Sequence, residues 1–309
     1  MSSEAICIGI LVADIIGRPI DSLPARGALQ LVERIAPFVG GCAANTGIGL
    51  QKLGVETTVV GCVGNDGLGD FLHGELERAR VQTHLSRDPH AATSTTMVLV
   101  ASDGERSFLH STGANAALQA THFDTAPFKG ARLLHIAGHG LMPRFDGAQC
   151  AELLQQARNC GLLTSLDTAG APDAQWRDNL RLCLPHLDFF LPSLHEVKEL
   201  FPDAHAPEAL ADLLHQTGVG TVALKMGEAG SFVSNARESH HIAPLSVPAV
   251  DATGAGDAFV AGFLAGVLRD FDLERCARLG NACGALCVTQ VGTVSAARSL
   301  QETLSYFGL

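Results

Sequence analysis

The residues with the clearest chemical potential lie at 251–257, in the sequence Asp-Ala-Thr-Gly-Ala-Gly-Asp. A long apolar stretch follows at once and predicts a buried helix, so Asp257 would lie on the first turn of that helix. The free N–H groups and the positive end of a helix dipole bind anions. A carboxylate beside such a site is poorly matched to an anionic ligand, unless its role is to accept a proton or to bind a hydroxyl group. The anion site and its adjacent acid therefore suggest phosphoryl transfer.

The other segments indicate the elements that must position this motif. The chain has 309 residues, 47% of them hydrophobic, which is enough for a large buried core. Short apolar runs alternate with amphipathic segments, a pattern typical of βαβ units and of a mainly parallel sheet with helices on both faces. In such sheets ligands bind beyond the carboxyl ends of the strands. The predicted strands are 5–12, 57–63, 132–137, 162–166, 188–191 and 221–225, and the predicted helices are 43–53, 68–79, 147–159, 194–201 and 208–216.

Two segments interrupt this alternation because no crossover helix follows them. Residues 14–35 are punctuated by Pro and Gly and contain the short apolar run 28–32, whereas residues 95–112 have the pattern of a β-hairpin with a turn at 102–105. We interpret both as strands of a small β-sheet lid on a single domain that spans 1–309. A lid suits phosphoryl transfer because water would otherwise accept the phosphoryl group.

Charge, cysteine usage and hydropathy exclude several classes of protein. The net charge of −11 is dispersed, which argues against nucleic acid as a partner, and no Gly-x-Gly-x-x-Gly follows the first strand, which argues against a dinucleotide-binding oxidoreductase. The nine cysteines form no C-x-x-C pair, and most lie in apolar runs, as expected for reduced, buried thiols. The N-terminus lacks the basic start of a signal peptide, and no apolar run reaches the ~18 residues of a membrane span. We therefore expect a soluble, cytoplasmic protein.

Several motifs in a fixed order resemble those of the PfkB (ribokinase-like) carbohydrate kinases. Residues 40–46, Gly-Gly-Cys-Ala-Ala-Asn-Thr, resemble the first signature of the family, and residues 251–257 resemble the second. The same order also contains Asp14, 50–54, 63–69 and 225–230, so the resemblance covers nearly the whole chain. It implies a three-layer ribokinase-like α/β fold with a small β-sheet lid, ATP and Mg²⁺ as cofactors, a sugar-type acceptor, and a homodimer formed through the lid strands.

The resemblance implies a role for each part of the site. Asp257 would be the catalytic base, and the N–H groups of Gly254, Ala255 and Gly256 would form the anion hole for the transferring phosphoryl group. Because a helix N-terminus stabilises the anion, Asp257 is expected to be a weak base that accepts the proton late. The acceptor would be held by Asp14, Gly40, Gly41, Asn45 and Arg106, and the nucleotide by Lys225, Gly227, Gly230, Thr253 and Asn281.

Several of these residues have structural alternatives. The alternatives are a turn residue for Asp14, a helix cap for Asn45, a plain β-turn for 225–230, and a solvated surface position for Arg106 and Asn281. His135 and His139 could line the substrate cleft, but a pair supplies too few ligands for a metal site.

Metal binding is where the chain departs from the family pattern. The usual Asn-x-x-Glu reads Ser-Leu-His-Glu at 193–196, so Glu196 is expected to organise water around Mg²⁺, although the spacing also fits a helix capping box. The resemblance further implies a loop for a monovalent cation such as K⁺, with Asp251, Thr253, Val288 and Gly292 as candidates.

The sequence therefore predicts an ATP-dependent kinase that phosphorylates a hydroxyl of a sugar or a sugar acid. Cys42 stands where ribokinases proper carry lysine, which argues against a ribokinase. The alternative is a nucleoside kinase of the same fold, which would need an apolar or aromatic slot for the base, with Phe38 and Phe108 as candidates. A non-catalytic sugar-binding protein is a third alternative, which the intact second signature argues against.

Overall fold

The structure, a computed structural model, describes residues 3–122, 128, 130–170 and 173–308. The described strands are β1 (Ala5–Gly9), β2 (Val12–Arg18), β3 (Arg34–Gly40), β4 (Thr57–Gly64), β5 (Gln82–Asp88), β6 (Thr95–Val100), β7 (Arg106–Ser111), β8 (Leu133–His139), β9 (Leu163–Thr168), β10 (Phe189–Phe190), β11 (Thr221–Lys225), β12 (Ser231–Ser234) and β13 (Ser239–Ile242). The described helices are α1 (Cys42–Lys52), α2 (Gly67–Arg78), α3 (Ala148–Asn159), α4 (Ala174–Cys183), α5 (Leu194–Leu200), α6 (Pro207–Gln216), α7 (Ala255–Val267), α8 (Leu273–Cys287) and α9 (Leu300–Phe307).

A central sheet carries most of these strands. Among the described residues it has nine, in the order β13-β12-β11-β10-β9-β8-β1-β4-β5, and all neighbours from β11 to β5 are parallel. Only β12 and β13 are antiparallel, at one edge. The prediction of a mainly parallel sheet is confirmed.

Helices cover both faces of this sheet, as predicted. On β1, Ile6 and Ile8 belong to a core with residues of α3, α4, α5 and α6, whereas Ala5 and Cys7 belong to a second core with residues of α1, α2, α7 and α8. Alternate residues of a strand point to opposite faces, so β1 contributes to both cores. Inside the second core α1 and α7 approach closely, since a Cβ on Gly49 would lie 2.7 Å from the Cβ of Ala261. This approach brings the N-termini of the two helices together.

A second, smaller sheet stands apart, in the order β3-β2-β6-β7, and we call it the lid sheet. The hairpin predicted at 95–112 is confirmed as β6 and β7. The prediction of one strand over 5–12 is wrong, because the chain leaves β1 at Ile10 and begins β2 at Val12; the Asn115 side chain binds both backbone groups of Leu11 at this break. The apolar run 28–32 is not a strand either, and its Leu29 and Leu31 are largely exposed.

The two faces of the lid sheet differ in chemistry. Asp14 on β2 lies opposite Phe38 on β3. Because alternate residues of a strand share a face, the register across the four strands places Phe108 and Arg106 of β7 on the same face as Asp14. We call this the inner face. The outer face carries Ile35, Met97 and Leu109, each between 49% and 66% exposed.

Some elements were not predicted from the sequence. These are the strands β5, β12 and β13 and the helices α4 and α9. β5, β13, α4 and α9 contain charged or exposed residues that weaken the hydrophobic pattern, whereas β12 is buried but only four residues long. Among the described residues, none of the helices combines the length and apolar character needed to cross a membrane.

Candidate active site

Asp257 lies on the first turn of α7 and is 9% exposed. The Asn45 side-chain amide on α1 donates a hydrogen bond to its carboxylate over 2.8 Å, and the hydroxyl of Thr293 bonds the Asn45 carbonyl oxygen over 2.6 Å. Asn45 is therefore not a helix cap, and its amide contacts the predicted base. The N-cap of α1 is Gly41, without a side-chain cap.

The electrostatics of Asp257 differ from the sequence expectation. Burial raises the pKa of its carboxyl above the ordinary value, although hydrogen bonds from Asn45 and Cys42 and the nearby Lys225 ammonium act in the opposite direction. The expectation that Asp257 is a weak base is wrong, because desolvation by burial outweighs the hydrogen bonds and the ammonium charge that stabilise its anion. The structure gives a carboxylate with enhanced affinity for a proton.

The backbone before α7 forms a tight turn. Gly254 is the N-cap residue with φ of 77°, a left-handed conformation that glycine adopts without strain. The Ala255 N–H closes this turn onto Ala252 O over 3.2 Å, so one of the predicted anion-hole donors is engaged. A Cβ on Gly256 would lie 3.4 Å from the Lys225 Nζ, which puts the ammonium group beside the start of α7.

Asp167, at the end of β9, is a site residue that the sequence reasoning missed. Its Oδ2 lies 3.5 Å from the Lys225 Nζ, and its Oδ1 accepts the Gly138 N–H over 2.9 Å. Burial raises its pKa to about 7. Burial alone would lower the pKa of Lys225, but Asp167 and other carboxylates raise it, so Lys225 remains a cation. The signal was available, because Asp167 directly follows the apolar run 162–166 at a strand's carboxyl end.

Cys42, which is partly buried, lies beside these groups. Its Sγ and one carboxylate oxygen each of Asp167 and Asp257 lie within 4.8 Å of one another. Such a set could ligate a metal ion, but the Lys225 ammonium beside Asp167 disfavours a second cation there.

A cleft with an empty volume of about 710 Å³ opens over these groups. The cleft brings together residues that were predicted to serve as the base, to form the anion hole, to bind the nucleotide and to bind Mg²⁺. Asp167 and Thr168 also line it, although the sequence did not predict them. Its lining is Asp167, Thr168, Ser193, Glu196, Lys225, Gly227, Gly254, Gly256 and Asp257.

Glu196 takes part in a capping box at the start of α5, so this alternative is confirmed. The Ser193 N–H and hydroxyl donate to Glu196 Oε2 over 2.8 and 2.6 Å, and the Glu196 N–H donates back to the Ser193 hydroxyl. The carboxylate also lines the cleft, and carboxylate oxygen is the donor that Mg²⁺ prefers. The residues present therefore fit Mg²⁺ held through water, with the capping box fixing the orientation of Glu196.

Asp14 lies inside β2, on the inner face of the lid sheet, so its prediction as a residue that follows a strand, or as a turn residue, is wrong. Burial raises its pKa to about 6, although a hydrogen bond with Thr96 lowers it. A Cβ on Gly40 would collide with the Asp14 carboxylate, so glycine here makes room for that acid. A Cβ on Gly41 would collide with backbone atoms of Ile10, Leu11 and Val12.

Arg106 is not solvated. Its side chain is 16% exposed, and the guanidinium forms an ion pair with Asp251 over 2.7 Å and donates to the Thr253 hydroxyl over 2.7 Å. This arginine of the lid sheet thus contacts the loop that precedes α7, which shows that the inner face of the lid sheet lies towards the cleft.

The oxygen atoms of this loop do not fit K⁺. Asp251 Oδ1 contacts Arg106 and accepts the Thr253 N–H, and Oδ2 accepts the Gly292 N–H. The Val288 carbonyl accepts two N–H groups, from Val250 and from Asp251. The Arg106 guanidinium already balances the charge of Asp251, so K⁺ at the predicted position would bring a second cation to the same carboxylate.

Other predicted positions lie outside the cleft lining. Asn281 is 9% exposed and donates to the Ala243 carbonyl over 3.1 Å, so its alternative as a solvated residue is wrong; its predicted contact with the nucleotide stays a prediction. Gly230 closes the turn between β11 and β12 through its N–H to Gly227 O, as a β-turn alternative requires. His135 and His139 are fully buried in β8, which contradicts their placement along the cleft.

Comparison with known proteins agrees with this geometry. The profile of the pfkB family carbohydrate kinases matches residues 2–300. The chain belongs to the pfkB family of carbohydrate kinases. The prediction made from the two signatures is thereby confirmed, and the chain is a kinase of this family.

Relatives within the pfkB family act on different acceptors. The chain is 30% identical to a fructokinase from Escherichia coli, over 87% of this chain and 92% of the relative. It is 29% identical to an aminoimidazole riboside kinase from Salmonella typhimurium, over 83% and 84%. A solved Escherichia coli structure assigned to ribokinase II and bound to ATP and Mg²⁺ superposes with a TM-score of 0.86 at 27% identity, covering 99% of both chains.

Proposed function

We propose that this pfkB kinase transfers the γ-phosphoryl group of ATP to a hydroxyl of a sugar or a sugar acid. The observation that carries the proposal is the Asp257 carboxylate, held by Asn45 in the same cleft as the start of α7 and the Lys225 ammonium. Phosphoryl transfer needs a positioned proton acceptor and donors aimed at the developing negative charge. These groups supply both requirements.

In the proposed reaction Asp257 orients the acceptor hydroxyl and accepts its proton as the oxygen attacks the γ-phosphorus, the bond from this phosphorus to the β–γ bridging oxygen breaks, and ADP leaves. The raised pKa of Asp257 favours that transfer. The N–H groups at the start of α7 and the Lys225 ammonium stabilise the charge on the transferring group. Mg²⁺, held through water by Glu196, would neutralise phosphate charge when bound. The lid sheet limits access of water, which would otherwise compete as acceptor.

We place the acceptor between Asp14 and Asp257. A carboxylate can accept hydrogen bonds from two hydroxyls, as a polyol requires, and Asp14 lies on the inner face of the lid sheet at a distance over which it interacts electrostatically with Asp257. A nucleoside is the second candidate, because Phe108 on the same inner face is 54% exposed and could stack on a base. Phe38 is on the same face but on β3, at the opposite edge of the lid sheet.

We also propose a homodimer that buries the outer face of the lid sheet. Ile35, Met97 and Leu109 form an exposed apolar group there, of the kind that usually marks a contact surface. Sedimentation at several concentrations tests this, with Met97→Lys expected to shift the protein to a monomer. The cytoplasmic location stays a prediction.

The experiment that tests the function measures ADP release from ATP and Mg²⁺ across a panel of sugars, sugar acids and nucleosides. We expect turnover with a sugar-type acceptor, and a loss on the order of 10²–10⁴ in kcat for Asp257→Asn, as for removal of a general base. Asp178→Asn, an exposed carboxylate on α4, is the matched control and should retain activity. Turnover with nucleosides only would select the second candidate. Binding of a sugar without any turnover would contradict a kinase.

A further inference from the structure

The contact between Arg106 and the 250–253 loop joins two parts of the molecule that are distant in sequence. The guanidinium bonds Asp251 and the Thr253 hydroxyl, each over 2.7 Å, and the Val250 carbonyl over 3.3 Å. The Asp251 side chain is 5% exposed, so its charge is almost fully removed from water. A buried carboxylate needs a compensating cation, and Arg106 supplies it from the lid sheet.

Asp251 in turn shapes the backbone that leads into α7. It accepts the N–H of Thr253 over 2.7 Å and the N–H of Gly292 over 3.2 Å. Gly254, with its left-handed φ of 77°, follows immediately, and the amides at the start of α7 follow Gly254. The geometry of these amides therefore depends on a carboxylate whose counter-ion is carried by the lid sheet.

We propose that Arg106 is a positioning residue that couples the lid sheet to the anion hole, and that its guanidinium takes the place of a monovalent cation on Asp251. This proposal rests on the proposed kinase function. When Arg106 withdraws with the lid sheet, Asp251 loses its counter-ion and the loop before α7 loses three bonds. Stabilisation of the transferring group is then at full strength only while the lid sheet covers the acceptor, which disfavours transfer to water.

Two consequences separate this role from a contact with the acceptor. First, the wild-type enzyme should need no K⁺. Its rates in KCl and in tetramethylammonium chloride at equal ionic strength should therefore agree within about twofold, a smaller change than loss of a required ion would cause. Second, loss of Arg106 should lower kcat and raise the fraction of ATP hydrolysed without phosphorylation of the acceptor, with a smaller effect on the KM of the acceptor.

The test compares Arg106→Gln, Arg106→Lys and Arg106→Gln/Asp251→Asn with the wild type, with Arg181→Gln on α4 as an exposed control. We expect a kcat loss of about 10-fold or more for Arg106→Gln, partial retention for Arg106→Lys, and a double variant no worse than the single one, because it no longer leaves a charge unpaired. We also expect K⁺ to raise the rate of Arg106→Gln. Arg181→Gln should behave as the wild type.

Hydrogen exchange provides a readout that does not depend on turnover. Amides at 250–256 should exchange faster in Arg106→Gln than in the wild type, and those at 174–183 should not. If Arg106→Gln does not fold, exchange at 250–256 is compared between the wild type and the double variant, in which both charges are absent. A strong K⁺ requirement in the wild type, or an Arg106→Gln enzyme with normal kcat and a raised acceptor KM only, would overturn the proposal. Absence of turnover by the wild type with every acceptor would instead overturn the kinase function.

Discussion

Replacement of Gly254 by alanine tests whether the start of α7 is a preorganised anion hole. A Cβ on Gly254 would lie 2.6 Å from the Cβ of Thr293 and 2.8 Å from its Cγ2. Thr293 cannot move freely, because it is buried and its hydroxyl bonds both Val39 O and the Asn45 side chain. Asn45 holds Asp257, so the added methyl group would disturb the proposed anion hole and the proposed proton acceptor together.

The magnitude follows from two contributions. A left-handed alanine and the collision with Thr293 together should lower the free energy of unfolding by about 2–4 kcal/mol. Misalignment of an anion-hole donor typically costs on the order of 10²–10³ in kcat. We therefore expect a folded but less stable enzyme that has lost most of its turnover and keeps its affinity for ATP.

Steady-state kinetics and thermal unfolding measure the two effects separately. Gly161→Ala is the matched control, since Gly161 has φ of 84° after α3 and no described atom lies within 4 Å of its added Cβ. It should lose about 1–2 kcal/mol of stability from backbone strain alone, with unchanged kcat. A Gly254→Ala enzyme with kcat within about threefold of the wild type, a change of less than about 1 kcal/mol in the barrier, would refute the reasoning.

Three further predictions concern charge. Because Asp257 must be ionised to accept a proton and its pKa is raised by burial, kcat/KM should fall with decreasing pH around a midpoint above 3.8, the ordinary pKa of an aspartate. A midpoint at or below pH 3.8 would contradict the raised pKa. Lys225→Met should lower kcat on the order of 10²-fold. Lys52→Met, at the exposed end of α1, is the control and should keep the wild-type rate in the same assay. If Lys225→Met changed only the KM of ATP, this result would argue against transition-state stabilisation by Lys225. For Asp14, the folded pKa of about 6 lies above the unfolded value, so ionisation lowers stability progressively as the pH rises towards 6, by up to about 3 kcal/mol. Asp14→Asn should therefore unfold at a higher denaturant concentration than the wild type at pH 8 but not at pH 4, and equal gains at both pH values would contradict this assignment.

The parallel strands and covering helices could be predicted because burial on both faces leaves a strong sequence signal. Strands such as β1, Ala5–Gly9, are continuously apolar, and glycines such as Gly54 and Gly161 follow the helices. The cleft could be predicted in outline for the same reason, since the carboxyl ends of parallel strands meet at one edge of the sheet.

What could not be predicted depends on contacts between distant segments. The partner of Arg106 lies about 145 residues away, and no local pattern identifies it. The raised pKa of Asp257 comes from burial by other elements, whereas the sequence revealed only its helix N-terminus. The lid-sheet strand β3, Arg34–Gly40, is buried only at its last two residues, and strands of this kind lack the apolar pattern by which the main sheet was recognised.

The hydrogen bond between Asn45 and Asp257 spans 212 residues, and this separation has a consequence for synthesis of the protein. The ribosome produces the lid sheet and α1 well before α7, so a growing chain would acquire the proposed acceptor-binding groups before the proposed proton acceptor and anion hole. Such an incomplete chain could not consume ATP unproductively. Activity would begin only when α7 packs against α1, and the appearance of turnover during translation would report that the last third of the chain has folded onto the first.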